Sequence, residues 1–367
     1  MILRLKNHTL GKPKPSASCL FSSVFRRNSQ SHVRTKSDHG DRRGCYEGNA
    51  YAEGKREQER LYLYKSKGQH LLTNNRILDA IVCSSDVRTT DTVLEIGPGT
   101  GNLTLKLLQA AQNVVAVEVD KRMVEILHKR VAELGFEDKL TVIQKDALKA
   151  EFPRFDLVVA NIPYNISSPL VAKLVYGSNT FRSATLLLQK EFAQRLLANP
   201  GDADFNRLAV NVKLMAHVDF VMDVSKREFV PCPKVDSSVV MIRPKEVTPD
   251  VNLQEWLAFT RTCFGKKNKT LGATFKQKKK VMELLKLREW NNSFGLSGDG
   301  EEDGSCLATN PSLFKERIIG VLRSSGLEDK RPSKLSHGEL LHLLSLFNQA
   351  GIFFHDNTMP MWIDPHE

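Results

Sequence analysis

The sequence predicts an α/β fold, in which a seven-stranded, mostly parallel sheet covered by helices precedes a small α-helical domain. Short, continuous apolar segments alternate with helix-like stretches between residues 92 and 199. Continuous apolar strands are typical of a parallel sheet that is buried on both faces. After residue 249 apolar residues recur at helical spacing, as at Trp256, Phe259 and Phe264. The 367 residues therefore predict a main domain and a smaller one.

The elements of the sheet domain follow one another in a regular order. A first helix, carrying Ile77 and Ile81, begins after the polar cap residues 73–75. Residues 213–224 and 237–242 form two late β segments, which we expect to pair antiparallel at one edge of the sheet. The remaining predicted strands are 93–96, 113–118, 140–143, 155–160 and 184–189, and the remaining predicted helices are 103–108, 123–134, 168–175 and 190–199.

Composition divides the chain into four predicted regions. Residues 1–37 contain eight Lys and Arg, seven Ser and no Asp or Glu, a composition typical of an organellar transit peptide. A basic tail that touches RNA is the alternative. No apolar run approaches the roughly 18–20 residues that a membrane-spanning helix requires. The other regions are a polar linker (38–66), the sheet domain (67–245) and the helical domain (246–367), which includes a predicted disordered acidic insert at 297–304.

The net charge of +11 is concentrated in two blocks. Residues 1–67 carry 15 Lys and Arg against 6 Asp and Glu, and residues 261–288 carry 10 against 1. Residues 68–260 carry 22 against 23 and are close to neutral. A near-neutral body with a basic block indicates a defined docking face for nucleic acid. The six cysteines are scattered, without a CxxC pair or a His at metal spacing, so neither a disulfide framework nor a zinc site is predicted.

A glycine-rich turn follows the first strand of the sheet. Gly97, Gly99 and Gly101 occupy alternate positions, and glycine allows both positive φ and the close approach of a ligand. The third glycine of a dinucleotide fingerprint is missing, and Asn102 stands in its place. Glu95 disfavours a pyrophosphate and suits a ligand with an ammonium group. The turn predicts a cofactor-binding loop, although close packing of helix on sheet is the alternative explanation of the glycines.

Polar side chains follow the next three strands, at the same edge of the sheet. Glu118 can accept both hydroxyls of a ribose, and Asp146 can accept a hydrogen bond from an adenine amino group. Either acid alone is better explained as a strand-end carboxylate or a helix cap. Asn161 and a following backbone carbonyl can accept the two hydrogens of an aromatic amine and direct its lone pair at an electrophilic methyl group. Tyr164 can stack on the base, whereas an Asn-x-Pro turn with a buried tyrosine is the alternative.

Four segments together resemble the ribosomal RNA adenine dimethyltransferase family. They are residues 69–72 (QHLL), 95–103 (EIGPGTGNL), 161–168 (NIPYNISS) and 229–238 (FVPCPKVDSS). The resemblance covers residues 67–290 and resumes over 310–356, and residues 266–271 (KKNKTL) are similar to the eukaryotic and archaeal 18S rRNA dimethyladenosine transferases. It implies a class I S-adenosylmethionine-dependent methyltransferase with a Rossmann-like sheet.

The resemblance also implies roles for individual residues. His70 stands where many members have Asn and Ile162 where many have Leu, and neither change removes a required group. The implied catalytic residues are Asn161, Tyr164 and Phe229, with Phe229 on the face of the target adenine opposite Tyr164. The implied cofactor-binding residues are Gln69, His70, Leu72, Glu95, Gly97, Gly99, Gly101, Asn102, Glu118, Asp146 and Asn161. The implied RNA-binding residues are Lys266, Lys267, Lys269, Lys276, Lys278, Lys279 and Lys280, and no metal is implied.

We therefore expect a monomeric enzyme that dimethylates the N6 amino groups of two adjacent adenosines near the 3′ end of small-subunit rRNA. The basic N-terminus predicts a mitochondrial (matrix) protein, with the nucleolus or a plastid as alternatives. The rival class is a ribosome-assembly or organellar transcription factor that has lost the chemistry. Intact Glu118, Asp146, Asn161 and Tyr164 disfavour it. Asn102 and the absence of a catalytic Tyr/Lys pair disfavour a nicotinamide-dependent reductase.

Overall fold

A seven-stranded sheet with helices on both faces forms the centre of residues 69–245. The computed structural model describes residue 63 and residues 69–266, 268–293 and 310–355. The chain divides into two units, residues 1–62 and 63–367, and every described residue lies in the second. The predicted transit peptide, the predicted linker apart from Leu63, and the acidic insert at 297–304 fall outside the described residues.

The strand order places five parallel strands beside an antiparallel pair. The strands are β1 (Leu71–Leu72), β2 (Thr92–Ile96), β3 (Asn113–Val117), β4 (Leu140–Ile143), β5 (Leu157–Asn161), β6 (Ser183–Gln189), β7 (Ala216–Val224), β8 (Phe229–Val230) and β9 (Ser237–Pro244). The large sheet has the order β4-β3-β2-β5-β6-β9-β7, in which β9 is antiparallel to both β6 and β7. This order confirms the predicted seven-stranded sheet and its antiparallel edge pair.

Helices cover the two faces of the sheet and build the C-terminal part. They are α1 (Asn75–Ser84), α2 (Asn102–Ala110), α3 (Lys121–Ala132), α4 (Ser167–Tyr176), α5 (Lys190–Leu197), α6 (Arg207–Met215), α7 (Leu253–Phe264), α8 (Leu271–Phe275), α9 (Lys278–Ser293), α10 (Pro311–Ser324) and α11 (His337–Gln349). Neighbouring strand residues point to opposite faces. Val93 therefore packs in the core formed with α1, α2 and α3, while Leu94 packs in the core formed with α4, α5 and α6. Burial on both faces explains the continuous apolar strands.

Several predicted boundaries are wrong. The strand predicted from residue 155 begins at Leu157, and the helix predicted to reach residue 199 ends at Leu197. Residues 213–215 belong to α6 rather than to a β segment, and β7 begins at Ala216. The side chain of Asn206 caps α6, whose apolar residues are buried against two different cores, so the helix has no simple amphipathic pattern. The helix predicted to reach Leu134 ends at Ala132, because Gly135 turns the chain with a φ of +67°.

The C-terminal helices enclose a third core that is rich in aromatic side chains. Trp256, Phe259, Phe275 and Phe347 are fully buried in it. Buried residues of α6 belong to the same core, so apolar contacts cross the predicted boundary at residue 245. The division into domains at that position remains a prediction.

The order of the strands determines where a ligand site can form. From β2 the chain builds outward through β3 to β4, and it then returns to place β5 on the other side of β2. A crevice opens at the carboxyl ends of strands where the order reverses in this way. The glycine turn follows β2 and the Asn161 segment follows β5, so both lie at this crevice.

Candidate active site

A cavity of about 380 Å³ lies at the carboxyl ends of β2, β3 and β5. Its volume is within the range of about 300–1,000 Å³ that is usual for small-molecule sites. The structure brings most of the predicted cofactor and catalytic residues together there. The predicted residues that line it are Gln69, His70, Leu72, Glu95, Gly97, Gly99, Asn102, Glu118, Asn161 and Tyr164.

The glycine turn is close to its neighbours on both sides. Gly97 and Gly99 have φ angles of +69° and +57°, which disfavour other residues. A Cβ atom on Gly97 would lie 3.2 Å from Cδ of Pro163, and one on Gly99 would lie 2.8 Å from Cδ2 of Leu71. Gly101 differs, because its Cβ would meet Leu127 at 2.5 Å and it does not line the cavity. Close packing of α2 on α3 therefore explains Gly101.

Two buried carboxyl groups face the turn. Glu118 accepts hydrogen bonds from the backbone N–H groups of Gly99 (3.2 Å) and Asp120 (2.9 Å), while burial raises the pKa of its carboxyl group. Glu95 is 1% exposed, and burial raises its pKa to about 8, with a further contribution from the charge of Glu118. Among the described residues, none forms a hydrogen bond with Oε2 of Glu95. The cavity thus offers buried oxygens that suit hydroxyl and ammonium groups.

Residues 69–72 lie against the glycine turn, and side chains from α2 and from the end of β5 donate hydrogen bonds to their backbone. Nδ2 of Asn102 donates to the carbonyl of Leu72 at 2.8 Å, and Arg130 donates to Oδ1 of Asn102 at 2.8 Å. Nδ2 of Asn161 donates to the carbonyl of His70 at 3.2 Å. The sequence predicts Asn102 as a cofactor-binding residue, and the structure shows that its side chain holds the 69–72 segment against the glycine turn.

Asp120 is a cavity residue that the sequence reasoning missed. It lines the cavity beside Glu118, and its carboxylate accepts hydrogen bonds from the side chains of Gln69 (2.9 Å) and Arg122 (3.0 Å to Nε). The Arg122 hydrogen bonds hold its pKa near 2, so the carboxylate is charged at neutral pH. Its position two residues after Glu118 and just before α3 could have indicated its role, because Asp is a favoured helix N-cap residue.

The segment after β5 presents two acceptors and an aromatic ring. Among the described residues, none donates to Oδ1 of Asn161 or to the carbonyl of Ile162. The Tyr164 ring lies 5.9 Å from the His70 ring at an interplanar angle of 27°, and its hydroxyl forms a 2.8 Å hydrogen bond with Ser237. Burial raises the pKa of that hydroxyl. The arrangement can accept two hydrogens of an amine beside a stacking surface.

Besides Gly101, two predicted cofactor-binding or catalytic residues lie outside the cavity lining. Phe229 is 2% exposed and packs in the core of the α1 face, where β8 pairs with β1. Asp146 caps the turn after β4, with Oδ1 accepting from the Leu148 N–H at 2.9 Å. Their predicted contacts with the target base and the cofactor remain predictions.

A second, wider cavity of about 1,190 Å³ is bounded by α4, α5, α6, α7 and the segment 331–334. Ser168 in the first turn of α4 lines it, four residues after Tyr164 of the first cavity. Its acidic lining residues are Asp202 and Asp204. Its basic lining residues are Arg195, Arg207, Arg261, Lys266, Lys269, Arg331 and Lys334.

The predicted RNA-binding lysines divide between this cavity and other surfaces. Lys266 and Lys269 line the second cavity, while Lys267 lies outside the described residues. Lys276 forms an ion pair with Glu328. Lys278 and Lys279 are exposed on α9, and Lys280 pairs with Glu283 at 2.8 Å.

The described ranges contain neither a membrane-spanning helix nor a cluster of metal-binding side chains. No helix there combines the length and apolarity that a bilayer-spanning helix requires. No group of three or more His, Cys, Asp or Glu side chains in the same ranges has an arrangement that could hold a metal ion.

Comparison with known proteins identifies the family. The model of the ribosomal RNA adenine dimethylase family matches residues 62–293, which is more than half of the chain. The chain belongs to this family. The predicted family and the predicted class I methyltransferase fold are therefore confirmed.

Relatives of this family match most of the chain. A mitochondrial ribosomal RNA small subunit methyltransferase of Arabidopsis thaliana is 70% identical over 100% of both chains. A second ribosomal RNA small subunit methyltransferase of Arabidopsis thaliana is 46% identical over 80% of this chain and 93% of its own.

Solved structures agree with this assignment. The crystal structure of a dimethyladenosine transferase from Plasmodium falciparum is 40% identical and matches with a TM-score of 0.69, covering 78% of this chain and 100% of its own. The 23S rRNA methyltransferase ErmE, at 24% identity, shares the fold with a TM-score of 0.53 over 76% of this chain and 99% of its own.

Proposed function

We propose that this enzyme transfers methyl groups from S-adenosylmethionine to the N6 amino groups of adenosines in small-subunit rRNA, and that its substrates are two adjacent adenosines near the 3′ end. The observation that carries the proposal is the orientation of the Asn161 amide. Its Nδ2 is engaged by the His70 carbonyl, so its Oδ1 is left to accept a hydrogen bond beside the Tyr164 ring. The names of the relatives support the same reaction and substrate.

The first cavity has groups that suit S-adenosylmethionine. That cofactor supplies an electrophilic methyl group on a sulfonium centre. Because Gly97 and Gly99 have no side chains, the backbone of the turn can approach the cofactor closely. A Cβ atom at either position would also collide with Pro163 or Leu71. Glu118 would accept the ribose hydroxyls, while the unpaired Oε2 of Glu95 suits the ammonium group. Asp146, in the turn after β4 outside the cavity lining, would accept the adenine amino group. Gln69, His70 and Leu72 would contribute through the backbone of the 69–72 segment, which Asn102 holds in place.

The chemical task of the protein is to make an aromatic amine nucleophilic. The lone pair of such a nitrogen is delocalised into the ring. Oδ1 of Asn161 and the Ile162 carbonyl would each accept one amine hydrogen, which favours a pyramidal nitrogen and directs its lone pair toward the cofactor side of the cavity. Tyr164 would hold the base by stacking, worth about 1–3 kcal/mol. Positioning is the main catalytic contribution, and the amine loses its proton after transfer, so no general base is required.

The second cavity is the proposed docking site for the RNA around the target nucleotide. Basic side chains outnumber acidic ones in its lining, which favours a phosphate backbone. The first turn of α4 joins it to Tyr164, so an RNA strand can run from one cavity to the other. Lys278 and Lys279 on α9 would add contacts outside it. The enzyme is proposed to act as a monomer.

The proposed location is the mitochondrial matrix. The Arabidopsis thaliana relative of 70% identity is named mitochondrial, and residues 1–37 have the composition of a transit peptide. A fluorescent fusion of the whole chain should enter mitochondria, and a fusion that lacks residues 1–37 should not. Import of the shortened fusion would contradict the transit-peptide assignment.

Methylation of small ribosomal subunits that lack the modification tests the function. The wild-type chain, with labelled S-adenosylmethionine, should produce dimethyladenosine, and Asn161→Ala should lower the rate about 10²–10³-fold, as for other lost transition-state contacts. Asn165→Ala is the matched control, because Asn165 is exposed in the same segment. Binding of subunits without any product from the wild-type chain would favour an assembly factor instead.

A further inference from the structure

Lys173 connects the helix that follows the target-base segment with the loop that follows β4. It lies in the last turn of α4, which begins three residues after Tyr164. Its side chain is half-buried and extends to the turn formed by residues 147–150. Neither the cofactor contacts nor the amine chemistry described above uses this residue.

The ammonium group of Lys173 is saturated by three backbone carbonyls. Nζ donates to the carbonyls of Ala147 (2.8 Å), Leu148 (3.1 Å) and Ala150 (2.5 Å). It also lies 4.3 Å from the centre of the Phe152 ring, within reach of a cation–π interaction. Burial lowers the pKa of Lys173, and the carboxylates of nearby acidic residues oppose that effect. An ammonium has three donors, so every one of them is used to hold this turn.

The same turn carries Asp146. Oδ1 of Asp146 accepts from the Leu148 N–H at 2.9 Å, and its backbone carbonyl accepts from the N–H groups of Lys149 (3.0 Å) and Ala150 (2.8 Å). In the described part of the chain, no donor other than Lys173 reaches the three carbonyls of the turn, and none reaches Oδ2 of Asp146. Lys173 therefore adds three hydrogen bonds to those that Asp146 forms within the turn.

We propose that Lys173 is a positioning residue for recognition of the cofactor adenine. By holding the 147–150 turn it keeps Oδ2 of Asp146 available to accept the 6-amino group of that adenine. The inference rests on the proposed function, since it takes Asp146 as the adenine acceptor. Because α4 begins beside Asn161 and Tyr164, one helix then supports both the cofactor adenine and the target adenine.

Binding of two product analogues to the whole chain tests this role without requiring turnover. S-adenosylhomocysteine carries the 6-amino group, whereas S-inosylhomocysteine has an oxo group that cannot donate at that position. In titration calorimetry, the wild-type chain should bind the adenosyl compound about tenfold more tightly than the inosyl compound. A difference of this size is expected for one hydrogen bond to a charged acceptor. Lys173→Met keeps the length of the side chain and removes its donors. We expect it to weaken adenosyl binding about tenfold and to leave inosyl binding unchanged.

Lys213→Met is the matched control. Nζ of Lys213 likewise donates to two backbone carbonyls, those of Leu197 and Ala198, at 2.7 Å each, and to Oδ1 of Asn199 at 2.9 Å. Burial lowers its pKa as it does for Lys173. It does not line the first cavity, so its replacement should leave the preference for the adenosyl compound at the wild-type value.

Two results would overturn the proposal. One is an unchanged preference in Lys173→Met, whether the affinities for both compounds fall equally or not at all, and the other is the same loss of preference in Lys213→Met. If Lys173→Met does not fold, Lys173→Gln removes the charge with a smaller change and should lower the preference in the same direction. The proposed function fails separately, because that failure is seen as a wild-type chain that makes no dimethyladenosine.

Discussion

Replacing Gly97 with alanine should reduce activity far more than stability. The residue has a φ of +69°, and alanine in this left-handed conformation costs about 1–2 kcal/mol. The added Cβ would also lie 3.2 Å from Cδ of Pro163 and 3.6 Å from the carbonyl oxygen of Asn161. Carbon atoms pack best at about 3.5–4.0 Å, so the segment from Asn161 to Tyr164 must move by a few tenths of an ångström.

Gly135→Ala separates the effect of backbone strain from the effect of displacing the segment from Asn161 to Tyr164. Gly135 has nearly the same φ, +67°, but a Cβ there would meet nothing within 4 Å. Both variants should lower the unfolding midpoint by a few degrees, since a loss of 1 kcal/mol shifts it by about 2–4 °C in a domain of this size. Only Gly97→Ala should lower kcat/KM, by about 10–100-fold, because small misplacements of reacting groups are costly.

Thermal unfolding and steady-state methylation of unmodified small subunits would measure the two effects. Equal loss of kcat/KM in the two glycine variants would refute the reasoning, because backbone strain alone would then account for the result. Full activity in Gly97→Ala would refute it as well, since the contact with Pro163 would have no consequence for the reacting groups.

Three other perturbations have defined outcomes. Glu118→Gln should weaken S-adenosylhomocysteine binding at least tenfold, because its carboxylate accepts three backbone N–H groups that an amide cannot all satisfy; an unchanged calorimetric Kd would contradict this. Burial raises the pKa of Glu255 to about 7, above its unfolded value near 4.5. The protonated side chain therefore contributes to the free energy of unfolding at low pH, and this contribution is lost as the pH rises from about 4.5 to 7. Urea midpoints should therefore fall more steeply over this range in wild type than in Glu255→Gln, and parallel curves would exclude the effect. Replacing Arg195 and Arg331 with Gln should lower the slope of log K for RNA binding against log salt concentration by one to two counterions. Lys129→Gln on α3, which lies outside both cavities, should leave the slope unchanged. Equal slopes in all variants would show that the second cavity does not bind RNA.

Local sequence patterns predicted most of the strands and helices, because these elements depend on residues that are close in the sequence. Successive residues of β2 and β3, such as Val93 and Leu94, are apolar because both faces of the sheet are covered. The pattern failed at α6, whose apolar residues are divided between the sheet core and the C-terminal core. A helix buried on two sides has no single apolar stripe, so residues 213–215 resemble a strand.

The candidate site also has a part that the sequence predicted and a part that only the structure showed. Glu118, Asn161 and the glycines could be placed at one edge of the sheet from the sequence, because the carboxyl ends of parallel strands meet there. The confirmed family follows from the same local motifs, whereas the order of the strands is seen only in the structure. Two residues of β1 were too few to predict its pairing with β8.

Contacts between distant residues were decided only by the tertiary structure. The clamp from Asn102 to the Leu72 carbonyl joins residues 30 apart, and the hydrogen bond from Gln69 to Asp120 joins residues 51 apart. The basic lining of the second cavity comes from segments as distant as Arg195 and Lys334. A periodic pattern records which face of an element is buried, but it carries no information about which element covers that face. The sequence by itself therefore determined the fold, the family and the acids and amide at the strand ends, while packing decided how those groups are held and which surface is open to RNA.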